Sequence, residues 1–187
     1  MDEIKIIPSD INKRIEIIIE EAWNVFINQF INQKYWIEKE APFHLHFANT
    51  LKLVGDLHCL RREEIFFIDL ERTLKINGKN RSIDIICGLS LTEKNEKIQV
   101  PIELKFKTEK QSAADEASMQ IYEDIYKLEK IIIKNRLPFA YFFMVTDYQI
   151  YANPPRKKDG LRATFNTSDG YKIKPNICLL YTSPSPR

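Results

Sequence analysis

Apolar residues recur along this chain with two different periods, and the changes of period mark out its elements. Ser9 and Asp10 offer a helix N-cap, and Ile11, Ile15, Ile18, Ala22 and Phe26 follow at helical spacing. A second helix is expected to open around Pro42, a residue suited to a first turn, and to carry Ala48, Leu51 and Leu53 toward Leu60. The period then falls to two. Residues 65–76 alternate and are rich in Phe and Ile, Asn77-Gly78 is a two-residue hairpin signal, and residues 82–91 read as the return strand. Residues 92–97 form a polar loop, and residues 98–106 a third strand with Val100, Ile102, Leu104 and Phe106 on one face. Residues 113–134 predict a long helix with Ala117, Ile121, Ile125, Leu128 and Ile132 as its stripe. Residues 139–146 and 149–152 predict two further strands. The order α-α-β-β-β-α-β-β predicts an α/β fold, a mixed central sheet flanked by helices.

A length of 187 residues with 44% hydrophobic and 29% charged residues fits one globular domain, expected here over residues 1–152. Residues 153–178 become basic and irregular. The last nine residues, LLYTSPSPR, resemble a translated sequencing adapter, so 179–187 are expected to be non-native. The opening MDEIKIIPSD has no basic cluster, which argues against a signal peptide. The longest apolar run, residues 139–145, is far shorter than the roughly 20 residues of a membrane helix. Cys59, Cys87 and Cys178 form no CxxC pair and read as free thiols, which points to the cytoplasm. His44 and His46, two apart on a helix, point to different faces. With five glycines there is no P-loop and no GxGxxG, so most phosphate-cradling enzymes are disfavoured.

The informative chemistry lies in the three-strand meander. Glu103 and Lys105 are two apart on a strand and leave the same face. If residues 92–95 are a four-residue loop, Asp84 falls opposite Glu103; if Asn77-Gly78 is a two-residue turn, Glu71 falls opposite Asp84. Three carboxylates in one row repel one another, and Asp84, between Ile83, Ile85 and Ile86, is expected to be buried. A compensating cation with hard oxygen ligands, Mg²⁺ or Mn²⁺, fits such a row. A one-residue slip in either strand breaks it. The ordinary alternative is a Glu-x-Lys pair on a solvated sheet.

Asp84, a gap of 18 residues, then Glu103-Leu104-Lys105 resembles the motif of the PD-(D/E)xK nuclease superfamily. The resemblance covers roughly residues 40 to 152, including Gln120, Tyr122 and Asp124 in MQIYEDIYKLE, and is to uncharacterised bacterial members. No proline precedes Asp84, where the motif name has one. The resemblance implies a restriction-endonuclease-like αβββαβ core and a Mg²⁺-dependent phosphodiesterase. Asp84 and Glu103 would bind the metal, with the carbonyl of Leu104 as a further ligand and Glu71 at a second metal or in the outer shell. Lys105 would position or help deprotonate the attacking water.

Charge adds a partner. Residues 72–81 carry Arg72, Lys75, Lys79 and Arg81 with no acid, a local +4, and residues 154–174 carry another +4. The total of +2 therefore conceals a remainder of −6 once those +8 are set aside. Such segments suit a phosphate backbone, with DNA favoured over RNA. Lys75, Lys79, Arg81, Lys107 and Gln120 are the candidate nucleic-acid contacts, against the bland alternative of a solvated hairpin, tail and helix surface. The N-terminal helix, with its Ile stripe and Trp23, reads as packing or as a homodimer surface. The expected activity is a DNA endonuclease of restriction, repair or mobile-element type. The alternative is an inactive nucleic-acid-binding or interaction protein of the same fold.

Overall fold

The structure is a computed structural model that describes residues 7–76, 78–92, 96–110 and 114–173. Residues 179–187, read above as non-native, lie outside it. The elements are α1 (Ile11–Ile31), α2 (Glu40–Leu57), β1 (Glu64–Ile76), β2 (Lys79–Leu91), β3 (Glu96–Lys107), α3 (Ala114–Asn135), β4 (Tyr141–Thr146) and α4 (Leu161–Thr164). The four strands form one mixed, open sheet in the order β1-β2-β3-β4. Two compact units divide the chain: one takes the described parts of Met1–Phe106 with Leu128–Met144, the other Lys107–Lys127 with those of Val145–Arg187.

In the first unit, the Asp10 carboxylate caps α1 by accepting the Lys13 N–H at 2.8 Å. The helix then buries Ile15, Ile18, Ile19, Ala22 and Phe26. Against it α2 sets Phe43 and Phe47, both fully buried, and Trp23 stacks on Phe143 of β4 with centroids 4.2 Å apart. Leu53, expected on the buried stripe of α2, is 68% exposed, because the helix turns Phe43, Phe47 and Leu51 inward instead. A Cβ on Gly55 would lie 2.1 Å from the Phe66 ring, so the packing of α2 on Phe66 of β1 requires glycine there.

β1 and β2 pair antiparallel from Glu64↔Leu91 to Ile76↔Lys79, the register expected in the sequence. One position drops out of that ladder. Leu70 faces Ile85 and Arg72 faces Ile83, but between them Glu71 adopts a left-handed φ of 51° and pairs with nothing across the strand. The strand faces exchange there. Phe67 and Leu74 of β1 pack against the buried cluster that Ile83 and Ile86 of β2 form with Ile131, although their odd spacings would separate them on a regular strand. β3 pairs with β2 from Leu91↔Glu96 to Ile85↔Ile102, again in the expected register, and the ladder stops at that point. Asp84 therefore stands at a fork, where β3 leaves β2 and the β1–β2 hairpin continues alone.

In the second unit, Tyr122 of α3 meets Phe165 edge-on and donates its hydroxyl to the Asn166 carbonyl at 2.7 Å. The strand expected at 149–152 is absent. Tyr151 N–H bonds to the Tyr148 carbonyl, and Ala152 and Asn153 N–H both bond to that of Gln149, so the backbone closes on itself as a turn. Four alternating residues are too few to choose a ladder over such local bonds. The segment expected to be irregular also contains the single turn α4.

Candidate metal centre

Helix α2 begins at Glu40, and four residues later His44 returns to the same helical face. That face meets the fork in the sheet. His44 Nε2 lies 3.8 Å from Glu40 Oε1 and 4.0 Å from Asp84 Oδ2, and one donor atom from each residue falls within 4.8 Å of the other two. Where the β2–β3 ladder ends, the Leu104 N–H donates instead to Asp84 Oδ2 at 2.8 Å, which anchors that carboxylate. Lys105 Nζ donates to Glu40 Oε1 at 3.3 Å and completes the group. Glu103, expected as a metal ligand opposite Asp84, is 1% exposed and is not among the three residues whose donor atoms converge, and the β2–β3 ladder ends before it would pair with Asp84.

The electrostatics follow from this packing. Burial works against a charged His44 ring, but Glu40 and Asp84 beside it outweigh both burial and the Lys105 charge, so its pKa is raised. Burial likewise works against an ionised Glu40, yet His44 and Lys105 hold its pKa below the usual carboxylate value. His44 Nε2 is shut off from solvent and has no hydrogen-bond partner among the described residues. Two carboxylate oxygens and an imidazole nitrogen gathered in this way could hold a metal ion.

Of the residues singled out in the sequence, Asp84 and Lys105 join this group directly, Asp84 half-buried rather than sealed in the core. Leu104 enters through its N–H, whereas a carbonyl ligand was expected. Glu71 is exposed and outside the group, because its left-handed backbone takes it out of the row of carboxylates. Lys75 and Arg81 are exposed on the hairpin. The side chain of Lys79 lies outside the described residues. Lys107 and Gln120 belong to the second unit, half-buried and exposed respectively. Cys59 and Cys87 are free thiols, and Cys178 is outside the described residues.

Sequence reasoning missed Glu40 and His44. The available signal was the Glu-x-x-x-His spacing in the first turns of a helix, which puts both on one face. Comparing His44 with His46 instead concealed it.

Comparison with protein-family models, curated proteins and solved structures finds no match to this chain. No helix among the described residues is long and apolar enough to cross a membrane.

Proposed function

We propose that this chain is a metal-dependent nuclease with a restriction-endonuclease-like core, a DNA endonuclease of restriction, repair or mobile-element type. The observation that carries the reading is the convergence of Asp84, Lys105, Glu40 and His44 on the point where β3 leaves β2. Phosphodiesters resist hydrolysis because their charge repels an attacking hydroxide. Mg²⁺ or Mn²⁺ held by Asp84, Glu40 and His44 would neutralise that charge and acidify a water. The protein's own part is positional. Glu40 holds the Lys105 ammonium near the site, where it stabilises charge developing on the phosphate. The Leu104 N–H keeps the Asp84 carboxylate turned toward the fork rather than away into solvent.

Plasmid cleavage with Mg²⁺ or Mn²⁺ tests the proposal. Wild-type protein is expected to cut, and Asp84→Ala and Lys105→Ala to abolish cutting. A wild-type protein that shifts DNA in gels yet cleaves neither DNA nor RNA with either ion would replace the nuclease by a binding protein.

A further inference from the structure

The hairpin beyond the fork has a shape and a surface that the chemistry at its base does not require. Past Ile85, β2 pairs only with β1 among the described residues, through five consecutive pairs from Arg72↔Ile83 to Ile76↔Lys79. At about 3.4 Å per residue this two-stranded ribbon is about 17 Å long, and its strands lie about 4.8 Å apart. One face is committed to the protein: Ile83 is in the buried cluster with Ile86 and Ile131, and Leu74 packs against that cluster. Lys134, in the last turn of α3, donates to the Lys75 carbonyl and ties the ribbon down. By strand alternation the opposite face carries Thr73 opposite Ser82 and Lys75 opposite Asn80, all four exposed. Arg81, paired with Leu74, belongs by the same alternation to the first face but is exposed, and residues 72–81 hold four cations without an acid, of which Arg72 pairs with Asp69 at 3.4 Å.

We infer that this ribbon is a reader of duplex DNA that enters the major groove. Hydroxyls, an amide and an ammonium suit the donor and acceptor pattern of base edges there, and the exposed charges of Lys75 and Arg81 suit the flanking phosphates. A two-stranded ribbon fits the roughly 12 Å width of the B-form major groove. The same ribbon is excluded from double-stranded RNA, whose major groove is deep and too narrow for side chains to read. The inference rests on the nuclease reading for its biological sense, since it names that enzyme's substrate as B-form duplex. Its test does not need cleavage.

Fluorescence anisotropy in EDTA, with one sequence presented as duplex DNA, double-stranded RNA and single-stranded DNA, measures binding in the absence of chemistry. Duplex DNA is expected to bind at least tenfold more tightly than the other two. The triple variant Lys75→Ala, Asn80→Ala, Arg81→Ala is expected to lose about tenfold or more in duplex affinity. Its salt dependence should flatten by about one unit of slope for each phosphate contact removed. Methylation of guanine N7 should weaken binding, and a minor-groove ligand such as netropsin should not. Equal affinity for RNA duplex, unchanged binding by the triple variant with an unchanged melting temperature, or displacement by netropsin would each overturn the inference. If the triple variant melts early, Asn80→Ala alone is read by N7 interference, and an unaltered interference pattern counts against the ribbon. A wild-type protein that binds duplex DNA as expected but never cleaves it would remove the nuclease reading and leave this one standing.

Discussion

Two carboxylate clusters join the N-terminal helices to the sheet, and they are built to opposite rules. Glu64, at the start of β1, accepts the Arg14 guanidinium at 2.8 Å and the N–H groups of Leu60 and Arg61 at 2.7 and 3.2 Å. Both side chains of the pair are 2% exposed. Arg14 also donates to the carbonyls of Pro8, Ser9 and His58, so each charge is surrounded by partners. At the fork, by contrast, Glu40, His44 and Asp84 crowd two acids and an imidazole together with longer separations and partial access to solvent. The first cluster is saturated and closed, as a structural tie should be. The second gathers more donors than its protein contacts use, which suits a site that receives something from outside.

Substitution separates the two most sharply. Asp84→Ala is expected to lower cleavage by at least about 10³-fold, roughly 4 kcal/mol of transition-state stabilisation, while costing less in urea unfolding, about the 1–3 kcal/mol of a Leu104 N–H left without its acceptor. Arg14→Ala should do the reverse. Leaving Glu64 buried without its cation is expected to cost about 3–5 kcal/mol in urea unfolding, with cleavage per folded molecule preserved. If Asp84→Ala unfolds the protein as readily as Arg14→Ala, the fork is a second structural tie and the distinction fails.

Ligand linkage gives the next, smaller effect. Mn²⁺ at about 100 times its dissociation constant should stabilise wild-type protein by about 2.7 kcal/mol, read as a rise in melting temperature. Neither Asp84→Ala nor His44→Ala should show that rise, and Arg14→Ala should show it in full from its lower baseline. An equal rise in all four proteins would place the ion elsewhere.

What the sequence made legible was the part decided by local rules. The two-residue and four-residue connections expected at 77–78 and 92–95 predict the two observed strand registers, because a two-residue period admits no half-steps when one face is buried. Those registers brought Asp84 and the Glu103–Lys105 strand together on paper. The turn of Glu71 into the left-handed region was not legible, since nothing in its own type demands it. That conformation comes with the exchange of strand faces as Leu74 and Ile83 meet Ile131. Glu40 and His44 were hidden for a related reason. Their partner Asp84 is 40 residues on from His44, and only the docking of α2 onto the fork brings them together. The short turn at 149–152 failed in the opposite direction, with four residues of alternation outvoted by hydrogen bonds within the segment.

The smallest expected effect bears on the closed cluster alone. Burial pushes the Glu64 carboxyl pKa up, but the Arg14 guanidinium and the Leu60 and Arg61 amides overcome that and leave it below its ordinary value of 4.5. A carboxylate depressed in the folded state binds its proton more readily in the unfolded chain, so falling pH favours unfolding. The stability it contributes is complete above about pH 4.5 and is lost as the pH falls through the folded-state value beneath it. Urea midpoints measured from pH 6 down to pH 3 should therefore decline more steeply for wild-type protein than for Glu64→Gln, after the general acid sensitivity common to both is subtracted. Glu64→Gln starts lower because Arg14 loses its counter-charge, and its curve should converge on that of wild type at the acid end. Parallel curves would mean that Glu64 is already protonated in the folded protein at neutral pH. The buried pair would then be a neutral hydrogen bond, and the contrast between a closed ionic tie and an open ionic site would lose one of its two sides.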